Sequence, residues 1–300
     1  MARKSSGINA ALNKCYEGVP TEQVGRLFKF RSEHPCKRIN VAGAAWEYIS
    51  CGNGTEVLLL LTGGLRVAEA AFGYIQMFEN DCRVIAPTYP PLGTMGELVD
   101  GIVAILDAEQ VPEAFVLGQS YGGVVAQVLM QRHPSRLKQV ILSGTAPLIA
   151  VKLKKHLVNI LLPVATLLPG RVVMSVFKRI VSPLITGQES ECAFWEAYLD
   201  ELFRQRLTKA DVLSHLQTTR DAHTNYAYSE GAKSSWRGDV LVIWGENDHL
   251  RTEKGQRGMQ DIYPQAQILV LSGGGHTVAM SEPVKYAAAV RDFLKYENCR

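Results

Sequence analysis

A short apolar stretch, Ala114 to Gly118, runs directly into Gln119-Ser120-Tyr121-Gly122-Gly123, and the chain continues with Val124, Val125, Val128 and Leu129 at helical spacing. A strand, a sharp turn and a helix within so few residues leave few folds open. Glycines on both sides of the serine permit a tight turn that side chains would obstruct. Such a turn lifts the Ser120 hydroxyl clear of the strand end, and the helix behind it aims its positive end at that oxygen. The stretch reads as a nucleophile elbow. The plainer alternative is a glycine-rich turn with no chemistry.

The flanking sequence repeats one grammar. Val57-Leu58-Leu59-Leu60-Leu61 is continuously apolar, as in a strand covered on both faces, and Thr62-Gly63-Gly64-Leu65 closes it. Ala68, Ala71, Phe72, Ile75 and Phe78 then share a helical face, Arg83 to Ala86 reads as the next strand, and a helix over about Met95 to Gln110 leads to the elbow strand. Gln139 to Ser143 is a further strand. This alternation predicts an α/β fold: a mostly parallel twisted sheet with helices on both faces. Ahead of it, the segments around Phe28 to Phe30, Arg38 to Val41 and Ala45 to Ile49 predict an antiparallel edge of two or three strands.

From about Pro147 to Trp236 no strand-like run occurs. Helical patterns replace it, most clearly Phe194, Trp195, Tyr198, Leu199, Leu202 and Phe203, with Glu196, Asp200, Glu201 and Arg204 opposite. The alternation resumes with Val240 to Trp244, a helix near Glu253 to Ile262, and the strand Gln267 to Leu271. A closing helix is expected to be capped by Ser281, with Val284, Ala287, Val290, Phe293 and Leu294 facing inward. The predicted organisation is therefore an N-terminal extension (1–26), a core (27–147 and 237–300) and an inserted helical lid (148–236).

Composition narrows the function classes. A net charge of +3 over 300 residues, with no basic run beyond a few residues, gives no argument for nucleic acid or an acidic membrane surface as a partner and leaves a small molecule as the default. Cys15, Cys36, Cys51, Cys82, Cys192 and Cys299 are scattered without zinc-type spacing, which suggests free thiols in a reducing compartment. No secretory signal is read at the N-terminus, and a cytoplasmic location is expected. The apolar stretch Leu157 to Phe177 is interrupted by Pro163, Pro169, Gly170 and Arg171, so no membrane span is expected.

A serine attacks an acyl carbon at neutral pH only when a base takes its proton and an acid orients that base. Both should lie in loops after later strands, in the order Ser, acid, His. Trp244-Gly245-Glu246-Asn247-Asp248 offers Asp248, preferred over Glu246 because the loop must travel beyond the strand end before a carboxylate can turn back. Gly273-Gly274-Gly275-His276 offers His276. Read alone, Asp248 is equally a loop acid or helix cap, and His276 a surface histidine. The oxyanion of a tetrahedral intermediate needs two N–H donors, for which Tyr121 and Gly64 are the candidates, with Leu65 as the alternative to Gly64. The other histidines, His34, His133, His156, His215, His223 and His249, show no spacing that demands a role.

Together, GQSYGG at 118–123, TGGL at 62–65, GEND at 245–248 and GGGH at 273–276 resemble the alpha/beta-hydrolase superfamily over roughly residues 37–298. The resemblance implies nucleophile Ser120, acid Asp248, base His276 and oxyanion donors Gly64 and Tyr121. Two departures stand out: Thr62-Gly63 replaces the common His-Gly, and Arg66 stands where many relatives carry glycine. Arg66 could meet a substrate carboxylate, though a surface-directed side chain is the favoured reading.

The expected reaction is hydrolysis of a small carboxylic ester, lactone or thioester through an acyl-enzyme, chemistry that calls for no metal and no organic cofactor. Leu157, Ile160, Leu161, Leu167, Leu168, Met174, Phe177, Phe194 and Trp195 are expected to roof an apolar acyl pocket or to fill the lid's own core. Leu65, Arg66, Phe194 and Trp195 are the candidate substrate contacts. The same fold also carries C–C bond hydrolases and non-enzymatic receptors and adaptors.

Overall fold

A computed structural model describes residues 15–150, 152–185 and 187–294, the side chains of 152–158 excepted. The expectations for residues 1–14, for the Leu157 and His156 side chains, and for Cys299 lie outside the described residues. Eight strands form one sheet: β1 (Lys37–Val41), β2 (Ala44–Cys51), β3 (Val57–Leu61), β4 (Arg83–Thr88), β5 (Ala114–Gln119), β6 (Leu137–Ser143), β7 (Val240–Gly245) and β8 (Gln267–Leu271). Their order is β1-β2-β4-β3-β5-β6-β7-β8. The β1–β2 and β2–β4 pairings are antiparallel and all others parallel.

Every residue of β3 and β5 is buried, as continuous apolar runs demand when helices cover both faces. Leu58 and Leu60 face one layer and Val57, Leu59 and Leu61 the other. The first layer holds α1 (Thr21–Glu33), α2 (Phe72–Phe78) and the closing helix Pro283–Leu294; the second holds α3 (Met95–Ala108), α4 (Tyr121–Arg132) and the helix Glu253–Ile262. Between β6 and β7 run α5 (Lys152–Leu167), α6 (Gly170–Val181), α7 (Cys192–Gln205) and α8 (Lys209–Asn225). Numbering onward, Glu253–Ile262 is α9, the short Val278–Ser281 is α10, and Pro283–Leu294 is α11.

Local chemistry sets several boundaries. Thr94 accepts from the Glu97 N–H while the Glu97 carboxylate reaches back to Thr94, and Thr208 with Asp211 does the same for α8. Each capping box is worth about 1 kcal/mol.

Four expectations need correction. Phe28 to Phe30 is helical, because Leu27 and Phe30 are the buried pair and their spacing of three suits one face of α1. Ser281 ends α10 instead of capping α11, whose first turn leaves Val284 81% exposed. Pro163 lies inside α5 and does not end it. Glu201, expected on the polar face of α7, is buried, accepts from the Tyr16 hydroxyl at 2.6 Å and pairs with Arg31 at 2.8 Å.

Candidate active site

Four loops leave the carboxyl ends of parallel strands and meet at one point, where ligands sit in sheets of this kind. The loop after β5 brings Ser120, that after β7 Asp248, that after β8 His276, and that after β3 Gly64. Ser120 has φ 53° and ψ −115°, a left-handed conformation costing on the order of 1–3 kcal/mol for a residue with a side chain. Its N–H donates to the Ser143 carbonyl at 2.8 Å, tying the turn to β6. A Cβ at Gly122 would stand 2.0 Å from the Leu61 carbonyl oxygen, so only glycine lets α4 start this close to β3.

Ser120 Oγ lies 2.8 Å from Nε2 of His276, and Nδ1 of His276 lies 3.0 Å from Oδ1 of Asp248. Asp248 and His276 are both buried. Burial opposes the charge on Asp248. The hydrogen bond from His276, the Leu250 N–H at 2.9 Å and the nearby imidazoles of His276 and His249 outweigh it and hold the carboxyl below its usual range. With Asp248 ionised, Nδ1–H of His276 is the donor to the carboxylate, which leaves Nε2 to accept from the serine. Glu246, the competing acid, is exposed and accepts from the Ser272 hydroxyl and the Gly273 N–H, which fixes the turn ahead of His276. His249 is largely exposed beside the pair.

Tyr121 is the first residue of α4, so its N–H has no acceptor within the helix, and Tyr121 and Gly64 line the same cavity. That cavity holds about 380 Å³. Leu65 and Trp195 line it; Phe194 does not, being fully buried against Phe72, Trp195 and Tyr198. Arg66 is not surface-directed. It is 1% exposed, with φ 64°, and donates to the Pro90 carbonyl at 2.9 Å and the Ser214 hydroxyl at 3.0 Å. Its guanidinium carbon lies 5.8 Å from the ring centres of both Tyr89 and Tyr121, and it does not reach the cavity wall. The left-handed φ is one that glycine would adopt without strain.

The expected apolar roof is only partly there. Phe177 lines the cavity and Met174 packs against the core, whereas Ile160, Leu161, Leu167 and Leu168 face solvent, Leu167 at 87% exposure. The wall also holds a polar stripe that the sequence reading passed over: His215, Thr219 and His223, four residues apart on α8. The H-x₃-T-x₃-H spacing was the available signal. Burial, reinforced by the Arg66 charge, pushes His215 down to about 3, so it stands neutral against the Tyr121 ring at 4.4 Å. Close ligand atoms that could hold a metal occur in two groups among the described residues: Asp248, His249 and His276, and, away from the cavity, His34, Cys51 and Glu79.

Residues 85–283 match the model of the alpha/beta hydrolase fold family. A 2-hydroxymuconate semialdehyde hydrolase from Pseudomonas sp. (strain CF600) is 24% identical over 289 residues, covering 86% of this chain and 93% of that protein. Among solved structures, an enol-lactonase from Burkholderia xenovorans LB400 superposes with a TM-score of 0.67 at 17% identity, over 86% of this chain and 100% of the other. A thermophilic esterase from Thermogutta terrifontis gives 0.67 at 18% identity, over 87% and 98%. The strand order, the strained serine at the end of β5 and the extent of the family match lead to one statement: this chain belongs to the alpha/beta hydrolase fold family.

Proposed function

We propose that the protein is a serine hydrolase that cleaves a small carboxylic ester, lactone or thioester through an acyl-enzyme. The observation that carries this reading is the unbroken run of hydrogen bonds from Ser120 through His276 to Asp248, with Ser120 and His276 on the wall of a largely apolar cavity. Ser120 attacks the acyl carbon as His276 Nε2 takes its proton, and Asp248 holds the resulting imidazolium in place. The N–H groups of Tyr121 and Gly64 stabilise the oxyanion; His276 then gives the proton to the leaving group and activates water for deacylation. The insertion 148–236 serves as the lid, with Leu65, Phe177 and Trp195 against the acyl group and neutral His215 and Thr219 offering hydrogen bonds to a polar part of the substrate. Scattered cysteines without zinc-type spacing fit a reducing, cytoplasmic setting.

Burst kinetics with p-nitrophenyl acetate and butyrate, beside fluorophosphonate labelling, test the proposal. Wild type should turn over and label on Ser120. Ser120→Ala should do neither, with turnover lower by on the order of 10⁴-fold or more. Absence of both in wild type would discard the hydrolase reading in favour of a ligand receptor. The likeness to a 2-hydroxymuconate semialdehyde hydrolase supports a second reading, C–C bond hydrolysis, which predicts turnover of a vinylogous diketone well above that of the esters.

A further inference from the structure

Ten large apolar side chains are exposed among the described residues, and eight of them fall between residues 160 and 180. Scattered exposure is ordinary on a soluble protein; concentration on one pair of helices is not. On α5 they are Ile160, Leu161, Val164 and Leu167, with Leu168 just past its end. On α6 the pattern is sharper. Val173, Phe177 and Val181 face inward at a spacing of four, and Val172, Val176 and Ile180 form a second stripe at the same spacing facing solvent. A helix that only closed a cavity would need the first stripe alone.

The same segment is cationic. Residues 151–188 hold six lysines and arginines and no aspartate or glutamate, so against +3 for the whole chain the remainder is net negative by three. Arg171 and Arg179 are exposed beside the outer stripe, while Lys178 pairs with Asp200. No helix among the described residues is long and apolar enough to cross a membrane. Apolar and cationic side chains together on surface helices too short to span are the composition of elements that lie in a bilayer interface. The face is also continuous with the catalytic cavity: Ile180 is 59% exposed and at the same time lines the cavity with Phe177 and Val181.

We infer that α5 and α6 form a docking face for a phospholipid bilayer carrying anionic headgroups. The apolar stripes enter the headgroup–acyl boundary and the cations meet the phosphates. Docking stands independently of the hydrolase reading; on that reading, an acyl substrate held in the bilayer enters past Ile180.

The test is flotation of the full chain with vesicles of phosphatidylcholine and phosphatidylserine, about seven parts to three, beside pure phosphatidylcholine. Wild type should float with the anionic vesicles and severalfold less with neutral ones or in about 0.5 M salt. The double variant Leu167→Glu/Val176→Glu, and separately Arg171→Gln/Arg179→Gln, should each lower the bound fraction by about tenfold. Both should keep the wild-type melting temperature, and the first should hydrolyse soluble p-nitrophenyl butyrate as wild type does. Wild type that stays out of the lipid fraction, or variants that float equally well, would overturn the inference. So would a wild-type dimer by light scattering that Leu167→Glu/Val176→Glu turns into a monomer, since a second copy would then cover the face. Flotation without fluorophosphonate labelling would retain the docking face and discard the hydrolase reading.

Discussion

The helical insertion contains two pairs built on opposite principles. Helices α7 and α8 each bury one face: on α7 Phe194 sits among Phe72, Trp195 and Tyr198 while Arg31 and Tyr16 reach across to Glu201, and on α8 Val212, Ser214, Thr218 and Ala222 are buried. Among their described side chains, helices α5 and α6 leave seven large apolar ones exposed, and Leu162, Val173, Phe177 and Val181 are their buried anchors. One pair is held by the core and by α1. The other lines the cavity through Phe177 and Val181 and leaves its outer stripe in solvent. Apolar sequence alone therefore does not say whether a helix is interior; the neighbours it meets decide.

That contrast can be broken by substitution. Phe194→Ala should cost about 3–5 kcal/mol, since an aromatic side chain is lost from a packed site with no room to collapse, and a denaturant titration would read the lower midpoint. A change within error would mean that α7 is not anchored as described. Glu201→Gln should cost about 1–3 kcal/mol because Tyr16 and Arg31 lose a buried charged acceptor, even with Glu69 still 2.7 Å from Arg31.

The pH dependence of stability sharpens the same comparison. An unfolded chain protonates a histidine near pH 6.5, whereas His215 in the folded protein does so only near 3. The unfolded state binds the additional proton throughout that interval, so stability falls as pH drops from about 6.5 toward 3. His215→Asn should flatten this slope in urea midpoints measured between pH 7 and 4; an unchanged slope would refute neutral burial of the ring. The smallest effect belongs to the outer pair. Leu167→Ser should shift stability by no more than about 0.5 kcal/mol, and a larger loss would mean the face is covered in the isolated protein.

Much of this was legible before any coordinates. Continuous apolar runs at 57–61, 114–118 and 240–244 suit buried parallel strands, and TGGL, GxSxG and GEND lie at their ends, while GGGH follows the less apolar and partly exposed β8. What stayed hidden depends on partners distant in sequence. Phe28 to Phe30 looks alternating until Leu27 and Phe30 find the layer beneath them. The buried state of Glu201 depends on Tyr16 and Arg31, 185 and 170 positions away. Arg66 is buried by Tyr89, Tyr121 and Ser214, none of which its own neighbourhood in sequence announces. His215 acquires meaning only when α8 is laid along the cavity.

The backbone crossings beneath the site bear on how this protein can evolve. Gly122 lies against the Leu61 carbonyl, and a Cβ at Gly245 would stand 2.3 Å from the carbonyl oxygen of Gly274. In a library of all single substitutions these positions would be empty columns whatever substrate was used for selection. The cavity wall on the insertion, from Phe177 through Leu184 to Trp195 and His215, carries side chains whose exchange leaves those crossings intact. On the proposed hydrolase reading, reactivity and selectivity fall to separate stretches of sequence, and new substrates can be explored along the second while the first stands still.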